Sequence, residues 1–359
     1  MSGVAYPSGT NTFVPQWDAS GKLAIGFSRN AKQFPLMKWA QLIQSDKNVG
    51  YYLRLDMSES VRVVDPTDYA WSRGSEAPHG EDGLSGFFLT EFRTNRNAYP
   101  CPIDADAVDQ ADWDVKLALV QTQASKLMTS RTVRMLAELS KTANFTVAGS
   151  VDPEMSADHT GTATAFAGGY LDQGTTSQGY IKKFFDKASV LINMDTNGVV
   201  VPSQLQALMN PNTARLLAES PELRDYIKSS PAAEHEIRTG SSPNATYGPG
   251  LPSSLYGIPI VVDNTVRITS KKKDALVKGF AFPDQTVALI SRVGELEGNI
   301  KTPNYSTATI FWYRDEMTIE EKYDADNRRY LYRIVEDTKE IITCPLSGYL
   351  LTAATSVAS

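Results

Sequence analysis

The stretch from Val108 to Ser140, VDQADWDVKLALVQTQASKLMTSRTVRMLAELS, holds neither proline nor glycine and is rich in Ala, Leu, Lys, Gln and Met. Apolar residues recur at Trp113, Leu117, Val120, Ala124, Leu127, Met135, Leu136 and Leu139. That spacing is close to the helical repeat and predicts one long amphipathic helix over 108–141. Asp109, Asp112 and Asp114 sit near its start, where acids suit the positive helix end, and Lys141 sits near its stop. At about 1.5 Å per residue such a helix runs for roughly 50 Å. An average globular helix has only about 11–12 residues. A helix this long acts as a beam, and the regions before and after it are expected to pack on different parts of it.

The chain has 359 residues, 42% of them hydrophobic, which is more than one simple core by default accommodates. Two domains, or one domain with large extensions, are expected. The formal net charge of −6 argues against a chain that wraps nucleic acid, while leaving room for local basic patches. No apolar run reaches the roughly 18 residues of a transmembrane helix, so no membrane partner is expected. The beginning, MSGVAYPSGTNTF, lacks the basic and apolar regions of a secretory signal. Cys101 and Cys344 are too few for a disulfide framework or a thiolate metal cluster; two unpaired thiols are expected, with a Cys101–Cys344 pair as the alternative.

Residues 1–30 mix Gly, Ser, Pro and Thr with Tyr6, Phe13, Val14, Trp17, Leu23, Ile25 and Phe27. A leader of this kind becomes ordered against a partner. LMKWAQLI (36–43) reads as a short helix after Pro35. GYYLRLDMSESVRVVDP and FFLTEFRTN read as two extended runs around a polar loop that carries Tyr69, Trp71 and Arg73, and together they predict a long two-stranded arm. A lone hairpin is marginal in water, so this one must lie on something else. YPCPI (99–103) reads as a rigid connector. After the beam, a second helix is expected over 178–192, a short strand at Val199–Val201, a helix opened by Pro202, and short helices after Pro211 and Pro221. Lys271–Lys273 read as a solvated tip. LYGIPIVVD, VKGFAF, QTVALISR, TATIFWYR, MTIEEKYD, RRYLYRIVED and EIITCP read as extended pieces. The class is mixed α+β without a βαβ repeat, which disfavours doubly wound sheets and barrels.

No catalytic constellation emerges. His79, His159 and His235 lie in expected loops with no HExxH spacing, and neither a GxSxG elbow nor a phosphate loop is present. No catalytic residue, metal ligand or cofactor is therefore assigned. The 16 tyrosines, 13 phenylalanines and 5 tryptophans, several of them in leader, arm and polar loops, point instead to interfaces.

The order of these parts resembles the major capsid proteins of tailed bacteriophages, the Hong Kong 97-like fold family. VVVPSQLQALM (199–209), LYGIPIVVDNTV (255–266), and FAFPDQTVALISR (280–292) followed by TATIFWYRDEM (307–317) are similar to its late elements. The resemblance implies an N-terminal arm (1–49), an extended loop (50–98), a peripheral domain (99–235) with a spine helix (108–141), an axial domain (236–306) and return strands (307–359). It implies a structural subunit and not an enzyme. Hexamers and pentamers of identical copies would form an icosahedral shell around double-stranded DNA, assembled in the host cytoplasm and ending in the virion. A separate scaffolding protein, a portal, a decoration protein and non-specific contact with packaged DNA are the implied partners. Trp71, Arg73, Tyr69 and Phe88 of the arm, with Trp17 and Phe13 of the leader, are the expected assembly contacts, and the loop 236–254 would approach the capsomer axis. Some members crosslink a lysine of the extended loop to a neighbour's asparagine; no lysine occurs here between Lys47 and Lys116, so that crosslink is not expected. An encapsulin-like compartment, a different virion protein and a soluble hydrolase built from scattered residues are the competing readings, because fold alone does not fix function.

Overall fold

The computed structural model describes residues 34–55, 73, 87–109, 115–149, 155–229, 251–270, 274–292, 305–313 and 317–356. Helix α1 (Leu36–Trp39) and strand β1 (Gln41–Ser45) precede a hairpin of β2 (Val49–Leu55) and β3 (Phe87–Arg93). Strand β4 (Asn95–Asp104) leads into α2 (Ala105–Asp109) and the long helix α3 (Val115–Leu139). Then come β5 (Thr160–Thr162), α4 (Ala163–Phe166), α5 (Tyr180–Asp195), β6 (Leu205–Met209), α6 (Pro211–Ala218) and α7 (Pro221–Ser229). The rest is β: β7 (Ser254–Leu255), β8 (Ile258–Val262), β9 (Val266–Ile268), β10 (Lys278–Phe280), β11 (Val287–Ser291), β12 (Ala308–Tyr313), β13 (Thr318–Asp324), β14 (Arg329–Ile342) and β15 (Tyr349–Thr352). The class is α+β, as the sequence predicts.

Two sheets carry the molecule. One is six-stranded, in the order β5-β15-β11-β6-β8-β7. Its central strand β11, VALIS, is buried at every residue. Val287 and Leu289 enter one hydrophobic cluster with α5, whereas Ala288 and Ile290 enter a second cluster with α1 and the C-terminal end of α3. A strand covered on both faces has to be apolar throughout. The second sheet is five-stranded and is organised by the long strand β14. Thr338 of β14 pairs with Trp312 of β12 and with Asn95 of β4, so those two strands lie on opposite sides of it. Strand β13 pairs with the first half of β14. Ala308, Ile310 and Ile342 of this sheet share the cluster that holds Met135, Leu136 and Leu139 of α3, and one core thereby joins helix and both sheets.

Several local expectations needed correction. Pro202 opens only a short 3-10 turn, Pro202–Gln204, and LQALM is strand β6. Pairing with β11 and β8 overrides its helical propensity. Helix α1 stops at Trp39, because β1 runs parallel to β12 from Gln41 onward. Val199–Val201 form no strand: Val200 is tucked against the end of α5, where Asn193 Nδ2 donates to its carbonyl at 3.0 Å. YPCPI belongs to strand β4, which among the described residues pairs only with β14. Prolines are tolerated on such an edge, and Pro100 and Pro102 are exposed while Cys101 and Ile103 face inward. The last three extended pieces collapse into two strands, since EII continues β14. The long helix is described from Val115, and residues 110–114 between α2 and α3 lie outside the described residues, as does Lys271–Lys273. Cys101 and Cys344 form no disulfide.

At one turn the backbone needs a special conformation. Tyr256 and Gly257 have φ of 50° and 81°. They form the two-residue connection between β7 and β8, where Leu255 pairs with Ile258. Positive φ at both positions marks a type I′ hairpin turn. Asn usually fills the first position; here the Tyr256 hydroxyl is anchored instead, donating to Glu222 Oε1 at 3.0 Å. The buried Glu222 carboxylate also accepts from the backbone N–H groups of Ile181 and Lys182, and so caps α5. Burial, then Glu222 beside it, pushes the Tyr256 phenol well above its ordinary range.

Candidate assembly interface

The root of the β2–β3 hairpin has two unlike faces. Register places Gly50 opposite Phe92 and Tyr52 opposite Thr90 on one face. That face lies on the protein's own five-stranded sheet. Phe92 stacks on Phe311 of β12 with ring centroids 4.2 Å apart, and Tyr52 stacks on the same ring at 5.9 Å. Aromatic pairs of this kind contribute about 0.5–1.5 kcal/mol beyond area burial. Gly50 makes the contact possible, because an added Cβ would meet the Phe92 ring at 2.8 Å. The other face is bare and mixed: Val49, Tyr51 and Leu89 are exposed, Tyr51 by 64% and Leu89 by 66%, with exposed Arg93 and Glu91 opposite Val49 and Tyr51. A strand pair that alternates buried and exposed apolar residues is covered on one side only.

Beneath the root a cleft of about 240 Å³ opens between hairpin, helix and sheet, lined among others by Tyr52, Thr90, Glu138, Asn144, Lys339 and Ile342. Beside it lies a buried ion network that fixes α3 to β14. Arg131 is fully buried and donates from Nε and Nη2 to Glu336 Oε2 at 2.9 and 2.6 Å. Arg134 Nη2 donates to Glu336 Oε1 at 2.6 Å and to Glu340 Oε1 at 2.8 Å. Burial alone would pull the Arg134 guanidinium down, but Glu340 and Glu336 outweigh it and hold it above its usual value. Each Glu336 oxygen thus accepts from a different arginine, and charge-assisted contacts of this type are about twice as strong as neutral ones. They bind the helix to the middle of β14, near the point where that strand changes neighbours.

The N-terminal half of α3 is held differently. Leu119 and Val120 are half-buried against Cys101, Ile103 and Tyr332, and Lys116 Nζ lies 4.2 Å from the Tyr330 ring centroid. From Lys116 to Lys126 no described side chain is buried.

Of the six residues singled out from sequence, Arg73 is an exposed turn residue and Phe88 lies in β3 opposite Arg54. Trp71, Tyr69, Trp17 and Phe13 lie outside the described residues, as does most of the loop 236–254. Sequence reasoning missed Phe92, Tyr52 and Phe311, whose contact joins chain positions more than two hundred residues apart. Alternation within FFLTEF was the one signal for Phe92. Arg131 and Glu336 were also missed, since nothing local pairs them. Among the described residues, no group of three or more His, Cys, Asp or Glu side chains could hold a metal ion. None of their helices is long and apolar enough to cross a membrane.

No protein-family profile matches the sequence, and no curated protein is similar to it by sequence. Solved structures are similar along nearly the whole chain. A phage-related protein from Bordetella bronchiseptica RB50 superposes with a TM-score of 0.62 at 13% identity, over 92% of this chain and 95% of that one. The mature capsid of bacteriophage PhiM1 gives 0.57 at 11% identity, over 96% and 93%. The chain has the Hong Kong 97-like fold of viral capsid proteins. The capsid of Ralstonia phage GP4 is similar over 100% of both chains, with a TM-score of 0.55 at 10% identity. At such identities the shared property of this Hong Kong 97-like chain is its fold, over nearly the whole length of each pair.

Proposed function

We propose that this chain is the structural shell subunit of a tailed bacteriophage. Identical copies form hexamers and pentamers and close into an icosahedral capsid around double-stranded DNA. The observation that carries this reading is the hairpin root: one face is fastened to the chain's own sheet through Phe311, and the other presents Val49, Tyr51 and Leu89 to solvent. A fold similar to phage capsids along its full length supports it. Each copy extends the hairpin over a neighbour, with Arg73 and Trp71 near the tip and Phe88 closer to the root as contacts, and Trp17 and Phe13 of the leader adding others. Many weak contacts per subunit then stabilise the closed particle by multivalency. Within that particle, residues 99–235 and 307–359 form the peripheral domain, and 236–306 the axial domain around the capsomer centre. A scaffolding protein, a portal and a decoration protein are the expected companions. DNA contact is non-specific, in keeping with the acidic chain. The subunit assembles in the host cytoplasm and ends in the virion. Purified protein examined by sedimentation and negative-stain electron microscopy tests this. Capsomers or closed shells are expected; a monomer persisting at high concentration, with or without scaffolding protein, contradicts the reading.

A further inference from the structure

A second hairpin, β9–β10, stands out from the body of the protein. Val266, Ile268, Leu276 and Val277 on and beside it are all exposed, Ile268 by 59% and Leu276 by 63%. Ile268 pairs with Lys278 and Val266 with Phe280, so these four share a face while Arg267 lies on the other. One flank rests near α3. Two strands alone are marginally stable, and a cluster of bare apolar residues marks a surface that meets a partner. Arg267 and Lys278 are exposed, and neither pairs with an acid among the described residues. The charge of this segment is one-sided: residues 264–280 contain five basic residues and one acid. The segment joining β2 to β3 has the opposite bias. Residues 56–86 contain seven acids and two basic residues, with Val61, Val63, Val64, Tyr69 and Trp71 among them. One segment is basic and apolar, the other acidic and apolar, which is the complementarity that steers and registers an interface.

We propose that the β9–β10 hairpin is the docking site for the acidic loop 56–86 of a neighbouring copy. The inference rests on the shell reading and specifies the surface that receives the arm. Steering by opposite charge makes the encounter salt-dependent, and burial of Ile268 and Leu276 then holds the loop.

The test uses full-length chains and follows assembly by light scattering in the absence of nucleic acid. One variant carries Arg267→Glu with Lys278→Glu; the other carries Asp65→Lys with Asp68→Lys. Circular dichroism checks that each is folded. Each alone is expected to assemble at least tenfold more slowly than the wild type, and an equimolar mixture to recover most of the rate. If a charge-reversed variant does not fold, the neutral pair Arg267→Gln with Lys278→Gln replaces it, and a wild-type rate that falls with added salt where the neutral variant's does not supports the proposal. A hairpin variant that assembles like the wild type overturns the proposal and leaves the shell reading standing. So does one that assembles normally in this assay but binds less double-stranded DNA when DNA is added afterwards, which would make the hairpin a DNA-facing surface. Rescue only when all four substitutions share one chain, with none in the mixture, places the contact within a subunit and also overturns it. A wild type that never assembles removes the shell reading and the proposal with it.

Discussion

The two ends of helix α3 live in different surroundings. At the C-terminal end Leu127, Met128, Arg131, Thr132, Met135, Leu136 and Leu139 are buried, and Arg131 and Arg134 are fastened to Glu336 and Glu340. At the N-terminal end the described side chains from Lys116 to Lys126 are half-buried or exposed, and the packing there is a small cluster around Cys101, Ile103 and Tyr332. One continuous helix thus has an end completed by its own chain and an end that its own chain only half covers. The first end is completed within the chain; on the shell reading proposed above, the second would be completed by other copies.

The sharpest way to break this comparison is to disturb the buried ion network. Arg131→Ala strips Glu336 Oε2 of both its donors and leaves Arg134 alone between the carboxylates of Glu336 and Glu340, so one buried negative charge is uncompensated, which should cost about 3–5 kcal/mol in chemical denaturation. Replacing the pair together, with Arg131→Met and Glu336→Leu, should recover most of that loss, since well-packed apolar residues substitute for buried ions. A loss below about 1 kcal/mol for Arg131→Ala would mean that the C-terminal end is not the anchored one. Next, Leu136→Ala should cost about 2–5 kcal/mol through transfer and cavity terms. The same truncation at Leu119, only half-buried, should cost about 1 kcal/mol in the isolated subunit. Equal losses would erase the contrast.

A smaller effect concerns Cys101. Burial raises its thiol above the ordinary value, with Gln123 and Lys126 partly opposing. A group with a raised folded-state value adds stability that is complete below its unfolded value and is lost as pH rises through the folded one. The denaturation midpoint of the wild type should therefore fall more steeply at alkaline pH than that of Cys101→Ala, and Cys101 should resist thiol reagents until the protein unfolds. The least change is expected at exposed Gln121, where Ala should alter stability by no more than about 0.5 kcal/mol.

Much of the fold was legible in the sequence, the difference between the two ends of α3 was not, and the illegible parts have physical reasons. The helix followed from its composition and periodicity, and VALIS and TATIFWY followed from their apolar runs. β6 was misread because LQALM has good helical propensity and only its neighbours β11 and β8 make it a strand. YPCPI was misread because two prolines suggest a connector, whereas an edge strand accepts them when the missing N–H groups face away from the ladder. The candidate interface was legible as a hairpin but not as a two-faced one. The stacking of Phe92 and Tyr52 on Phe311 and the bond between Arg131 and Glu336 join residues far apart in the chain. No local pattern announces such pairs.

The central claim is that copies of this chain complete one another's half-covered surfaces. Hydrogen–deuterium exchange tests it most directly, comparing assembled particles with dissociated subunits. Protection should rise on assembly in the N-terminal half of α3 and in the β2–β3 root, and stay constant around Arg131 to Leu139, which the single chain already protects. Unchanged protection of the N-terminal half and the hairpin in the particle would contradict the account.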